Sequence, residues 1–99
     1  MFNINIIKTY RDVIAICDSE LIGKKFEQDD FQLDVKENFY KGEEVGEEEL
    51  IKKINFFSAE DATFNIIGEK AIQTALKAGI ISEEFVNKIQ DIPYSMVFI

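Results

Sequence analysis

Histidine and tryptophan are absent from the 99 residues; cysteine and proline occur once each, and glycine five times. Without histidine the chain lacks the usual general base near neutral pH and the commonest zinc ligand. With Cys17 its one cysteine, it has no internal disulfide, and a metal site of nitrogen and sulfur donors is excluded. Such cysteine usage fits a reducing compartment. Cys17 stands in an apolar run and reads as a small core residue, because no imidazole exists to activate it. No apolar stretch approaches the roughly 20 residues of a membrane-spanning helix. The start Met1-Phe2-Asn3 lacks the basic and apolar regions of a signal peptide. The expectations are therefore a cytoplasmic location, no membrane partner, no metal and no cofactor.

Basic residues are also short. Eleven Lys and Arg face nineteen Asp and Glu, for a net charge of −8. The excess is concentrated in residues 28–61, which carry eleven acidic and four basic side chains. A chain of this balance is a poor candidate for sequence-independent nucleic-acid binding, which needs clustered Lys and Arg. It suits a basic partner, either a protein or a ribonucleoprotein carrying basic proteins. What is present in quantity is apolar: 46% hydrophobic residues, nine of them Phe. That is enough for a core in one domain spanning residues 1–99.

The chain is organised around Ala62–Ile81. The apolar run Phe64-Asn65-Ile66-Ile67 meets Gly68, and a helix follows with Ala71, Ile72, Ala75 and Leu76 on one face. Glu69 in the first turn and Lys77 in the last suit the helix dipole, and Gly79 occupies a left-handed C-cap position. Gly68 is expected to bend the chain and leave free N–H groups facing an open cleft. Asn65, Gly68, Glu69 and Lys70 are candidate binding residues on that basis. Whether 59–65 is helical or extended stays open, because Ser58-Ala59-Glu60-Asp61 resembles a capping box.

Elsewhere, Phe2–Thr9 alternates as a half-buried strand, with Asn3 and Asn5 on its polar side. Val13–Cys17 is apolar on both faces and reads as an interior strand. Phe31, Leu33 and Val35 alternate with polar residues. Leu50, Ile54 and Phe57 form a helical stripe behind a glutamate-rich first turn. Ser82-Glu83-Glu84 begins a further helical segment that Pro93 ends. The expected fold is α+β: a mainly antiparallel sheet of about four strands, near 2–9, 12–17, 31–36 and 94–99. About three helices, near 47–57, 68–78 and 83–90, pack on one face of it.

The segments Ile16-Cys17-Asp18, Leu21-Ile22-Gly23-Lys24, Phe39-Tyr40-Lys41-Gly42, Asn65-Ile66-Ile67-Gly68-Glu69-Lys70-Ala71 and Ala78-Gly79 together resemble a family of small archaeal proteins labelled a domain of unknown function. The resemblance covers nearly the whole chain. It implies a cytoplasmic, single-domain archaeal protein and carries no reaction.

Three functions follow as expectations. The first is a non-catalytic adaptor or binding protein, associated with translation or another information-processing complex. The second is an RNA-binding factor using two lysine–aromatic spots, Lys24-Lys25-Phe26 and Phe39-Tyr40-Lys41. The third is a small enzyme using Asp18 or Glu69 as an acid or base. No catalytic residue is assigned, since no constellation of nucleophile, base and orienting group is present. The glutamate run Glu43–Glu49 lacks the alternation of a calcium loop and reads as the solvated start of a helix.

Overall fold

The computed structural model describes residues 1–98. Eight strands and three α-helices follow one another as β1 (Phe2–Ile7), β2 (Asp12–Asp18), β3 (Lys25–Gln28), β4 (Phe31–Asp34), α1 (Glu37–Tyr40), β5 (Glu43–Val45), α2 (Glu47–Ser58), β6 (Ala62–Ile67), α3 (Glu69–Ala78), β7 (Asn87–Ile89) and β8 (Ile92–Phe98). Single 3-10 turns lie at Ser19–Leu21 and Glu83–Phe85.

Six strands form one mixed sheet in the order β5-β1-β2-β6-β8-β7, and β3 pairs with β4 in a separate hairpin. β2 and β6 run parallel, with Ile14 opposite Phe64 and Ile16 opposite Ile66. The other pairs in the sheet are antiparallel. This corrects the expected sheet of about four mainly antiparallel strands. Parallel pairing follows from the chain path: α2 lies between β2 and β6 in sequence and crosses over the sheet, as a parallel connection requires.

The central strands are covered on both faces, by α2 and α3 on one and by the β3–β4 hairpin with α1 on the other. One face presents Phe2, Ile4, Ile14, Ile16, Phe64 and Ile66 to Leu50, Ile54 and Phe57 of α2 and to Ala71, Ile72 and Ala75 of α3. The two alanines let α3 lie close to the sheet. The opposite face presents Ala15, Cys17 and Ile67 to Leu21, Val35 and Tyr40, with Phe26 and Leu33 of the hairpin packed against them. Strand β2 reads as apolar on both sides because both sides are buried.

Three short strands escape the hydrophobic pattern. β5 consists of Glu43, Glu44 and Val45, and only Val45 is buried; charge on an edge strand discourages further pairing. β3 is exposed except at Phe26. β7 lies inside the segment expected as a helix over 83–90. There the chain makes one 3-10 turn, extends through Asn87–Ile89, and reverses at Gln90 and Asp91, whose φ values of 51° and 66° define a tight hairpin turn. Pro93 then sits within β8 rather than ending a helix. It is tolerated because β6 has ended opposite it. Gly68 N–H donates to the Pro93 carbonyl at 2.9 Å, while the Gly68 carbonyl accepts from Ile72 N–H as α3 begins.

The polar side of β1 also faces inward. Asn3 is buried; its Oδ1 accepts from Gly42 N–H at 3.0 Å and its Nδ2 donates to Ser19 Oγ at 3.0 Å. Asn5 Nδ2 donates to the Phe39 carbonyl at 2.7 Å. These bonds hold the α1 segment against the sheet without leaving buried polar groups unpaired.

Candidate functional site

The segment 62–67 resolves as strand β6, and Gly68 bends the chain with φ 118° and ψ 150°. A side chain is strained there, and a Cβ on Gly68 would lie 2.5 Å from Cγ of Asp18. The reason is a contact between distant parts of the chain. Asp18, at the end of β2, is carried beside the N-terminus of α3 by the parallel register of β2 on β6. Its Oδ1 accepts from Ala71 N–H at 2.8 Å and its Oδ2 from Lys70 N–H at 3.1 Å. The Asp18 carboxylate thus does the work of an N-cap from another strand, satisfying helix donors that Gly68 cannot. The Lys70 and Ala71 N–H groups, expected to face an open cleft, are closed off by this carboxylate.

Asp18 is buried. Burial pushes its carboxyl pKa up from 3.8, and the two N–H donors and the Lys70 charge oppose that shift. Beside it, burial and the Asp18 charge push the Cys17 thiol up to about 12, so the thiol is protonated and poorly nucleophilic. Tyr40 packs on the same side of the sheet, and burial raises its hydroxyl to about 12 as well.

The other candidate residues divide into separate places. Tyr40 and Asn65 come together, lining a cavity of about 210 Å³ with Leu33, Tyr94 and Met96. Glu69 and Lys70 are neighbours that open onto different clefts. Glu69 lies with Glu83, Lys88 and Asp91, while Lys70 lies with Glu47 and Lys77. In the second cleft Lys77 Nζ bonds Glu47 Oε2 at 3.1 Å, tying α3 to α2. Lys24, Lys25 and Lys41 are exposed. Their aromatic companions are not free to stack a base from both faces: Phe26 and Phe39 pack against the second core cluster, and Tyr40 belongs to it. Among the described residues, no group of three or more Cys, Asp or Glu side chains is placed to hold a metal ion.

A further groove, missed in the sequence, runs along the outer side of β8. Its volume is about 500 Å³, and its walls are Ile80, Ile81, Ser82 and Phe85 on one side and Met96, Val97 and Phe98 on the other. Phe85, Met96 and Phe98 are 61%, 59% and 70% exposed. Ser95 Oγ donates to the Phe85 carbonyl at 2.9 Å, which fixes the 3-10 turn beside the strand. The signal available in the sequence was Met96-Val97-Phe98 without an intervening charge.

The family model described as "Protein of unknown function (DUF424)" matches residues 7–99. The chain belongs to this family. The DUF424 chain is also similar to a crystal structure of an uncharacterized conserved protein from the archaeon Methanopyrus kandleri. The TM-score is 0.87 at 25% identity, covering 99% of this chain and 90% of that one. No curated protein matches the DUF424 chain. Among its described residues, no helix is long and apolar enough to cross a membrane.

Proposed function

We propose that this DUF424 protein is a non-catalytic binding module of the cytoplasm whose partner is a protein. The observation that carries the reading is the groove walled by Phe85, Met96 and Phe98. Phe85, Met96 and Phe98 line it and stay exposed, with Met96 and Phe98 projecting from the face of β8 opposite Val97, and apolar surface left at this strand end resembles a contact surface in want of an occupant. Asp18, one of the two candidates for acid–base chemistry, supports the same reading from the other side, because both its oxygens are engaged in holding α3. Complexes of the translation apparatus are the first setting to search: their proteins are commonly rich in Lys and Arg, and this chain is acidic.

The test is affinity capture from a native lysate of the source organism, with and without ribonuclease. The proposal expects a protein partner that survives ribonuclease and is lost from a Phe85→Ser, Phe98→Ser variant. Loss of the partner on ribonuclease treatment points instead to RNA. An absence of partners together with turnover in a general substrate screen contradicts the proposal and returns attention to Glu69.

A further inference from the structure

We infer that the outer edge of β8 is a strand-addition site for an extended, basic peptide segment of a partner protein. The inference rests on the binding reading above and assigns the groove a mode and a chemistry. β7 pairs with β8 only at Ile92, Pro93 and Tyr94, so β8 continues beyond its neighbour. Main-chain direction alternates along an antiparallel strand. The Gly68 N–H bond to the Pro93 carbonyl shows that residues 93, 95 and 97 address β6. The main-chain groups of Met96 and Phe98 therefore point to the open edge. There the fold leaves a ladder unfinished, and peptides are taken up on such edges by backbone pairing.

The end strands of the six-stranded sheet differ. β5 is three residues long and carries Glu43 and Glu44; β7 is three residues long and carries Lys88. Short length and charge are the usual protections of an edge. Residues 94–98 carry no charge, so this part of the edge lacks that protection.

The rim chooses the occupant. Glu84 is exposed and is held to the wall residue Ser82, whose Oγ donates to Glu84 Oε1 at 3.3 Å, and no Lys or Arg is among the residues lining the groove. A second copy would pair the groove with itself, bringing two such rims and two chains of net charge −8 together. A segment alternating apolar and basic residues meets the same groove with opposite charge. Its apolar side chains rest beside Val97 and Phe85, and its basic ones lie near Glu84.

Fluorescence anisotropy with a labelled peptide of alternating Val and Lys tests this, against a Val–Glu peptide and a Val–Lys peptide N-methylated along one edge. Saturable binding of the first alone is expected, weakening with salt. Met96→Pro removes one outward N–H and leaves the β6 ladder intact, so binding should weaken about three- to tenfold. Met96→Lys adds a repelling charge on an exposed position that does not threaten folding, and should weaken binding at least about tenfold. Equal binding of the N-methylated peptide, or no effect of Met96→Lys, overturns the assignment. So does a concentration-dependent dimer in light scattering that Met96→Lys dissolves, because the occupant is then a second copy. If the Val–Lys peptide fails to bind while ribonuclease-resistant capture persists, the edge assignment falls and the binding reading stands.

Discussion

Replacing Gly68 with alanine strikes the junction on which the fold turns. Two costs arise at once. At φ 118° and ψ 150° a residue with a Cβ is strained by about 1–3 kcal/mol. The new Cβ also falls 2.5 Å from Asp18 Cγ and 2.6 Å from its Oδ2, and overpacking of this kind costs a further ~1–3 kcal/mol. Asp18 can retreat only by giving up its bonds to Lys70 and Ala71 N–H. The expected loss for Gly68→Ala is therefore about 3–5 kcal/mol, at the upper end for a single substitution. In a domain of this size each kcal/mol lowers the melting temperature by about 4–8 °C, so a drop of about 12 °C or more should be seen by circular dichroism. Urea denaturation gives the free energy directly. Adding Asp18→Ala removes the side chain that is struck, so the double variant should lose less than the two single losses added together. An unchanged or raised melting temperature for Gly68→Ala would refute the reasoning. That is the behaviour of an ordinary helical glycine, where alanine gains roughly 1 kcal/mol.

Three other outcomes follow from the same contacts. Asp18→Asn should cost about 1–3 kcal/mol, because an amide turns one N–H donor toward another. Since burial raises the Asp18 pKa in the folded state, the folded protein holds that proton more tightly than the unfolded chain. The proton-linked part of the Asp18 contribution is then full below pH 3.8 and declines as pH rises through the folded value; comparing pH–stability curves should show this component missing from Asp18→Asn. Asn3→Ala should cost about 1–3 kcal/mol by urea denaturation, since it leaves the Gly42 N–H without its partner beneath α1. Cys17, buried and with its thiol pushed up to about 12, should resist a thiol reagent in the native state and react at the rate of unfolding. Rapid labelling of the native protein would contradict that burial.

The parts of the fold legible in the sequence are those whose burial imposes a pattern. β2 is apolar at every position from Val13 to Cys17 because helices cover one side and the hairpin the other. The stripes on α2 and α3 are legible for the same reason, and so is Gly79, whose left-handed φ of 81° caps α3. The illegible parts are short or paired by distant residues. Glu43-Glu44-Val45 has one buried residue and reads as the start of a helix, yet pairs with β1. Glu83–Asp91 carries helix-like residues that two positive φ angles turn into a hairpin. Gly68 was visible as a bend, but its partner Asp18 lies 50 residues earlier and is placed by parallel strand register, which leaves no local trace. The groove beside β8 is illegible because an exposed apolar end strand and a buried one read alike.

Amide hydrogen exchange followed by NMR on the wild-type protein measures the open edge most directly. The Met96 and Phe98 N–H groups should exchange quickly in the free protein, while those of Ser95 and Val97, bonded to β6, exchange slowly. Saturation with the Val–Lys peptide should slow Met96 and Phe98 selectively. Exchange at Met96 and Phe98 that is already slow in the dilute free protein, or that the bound peptide leaves unchanged, would contradict the account.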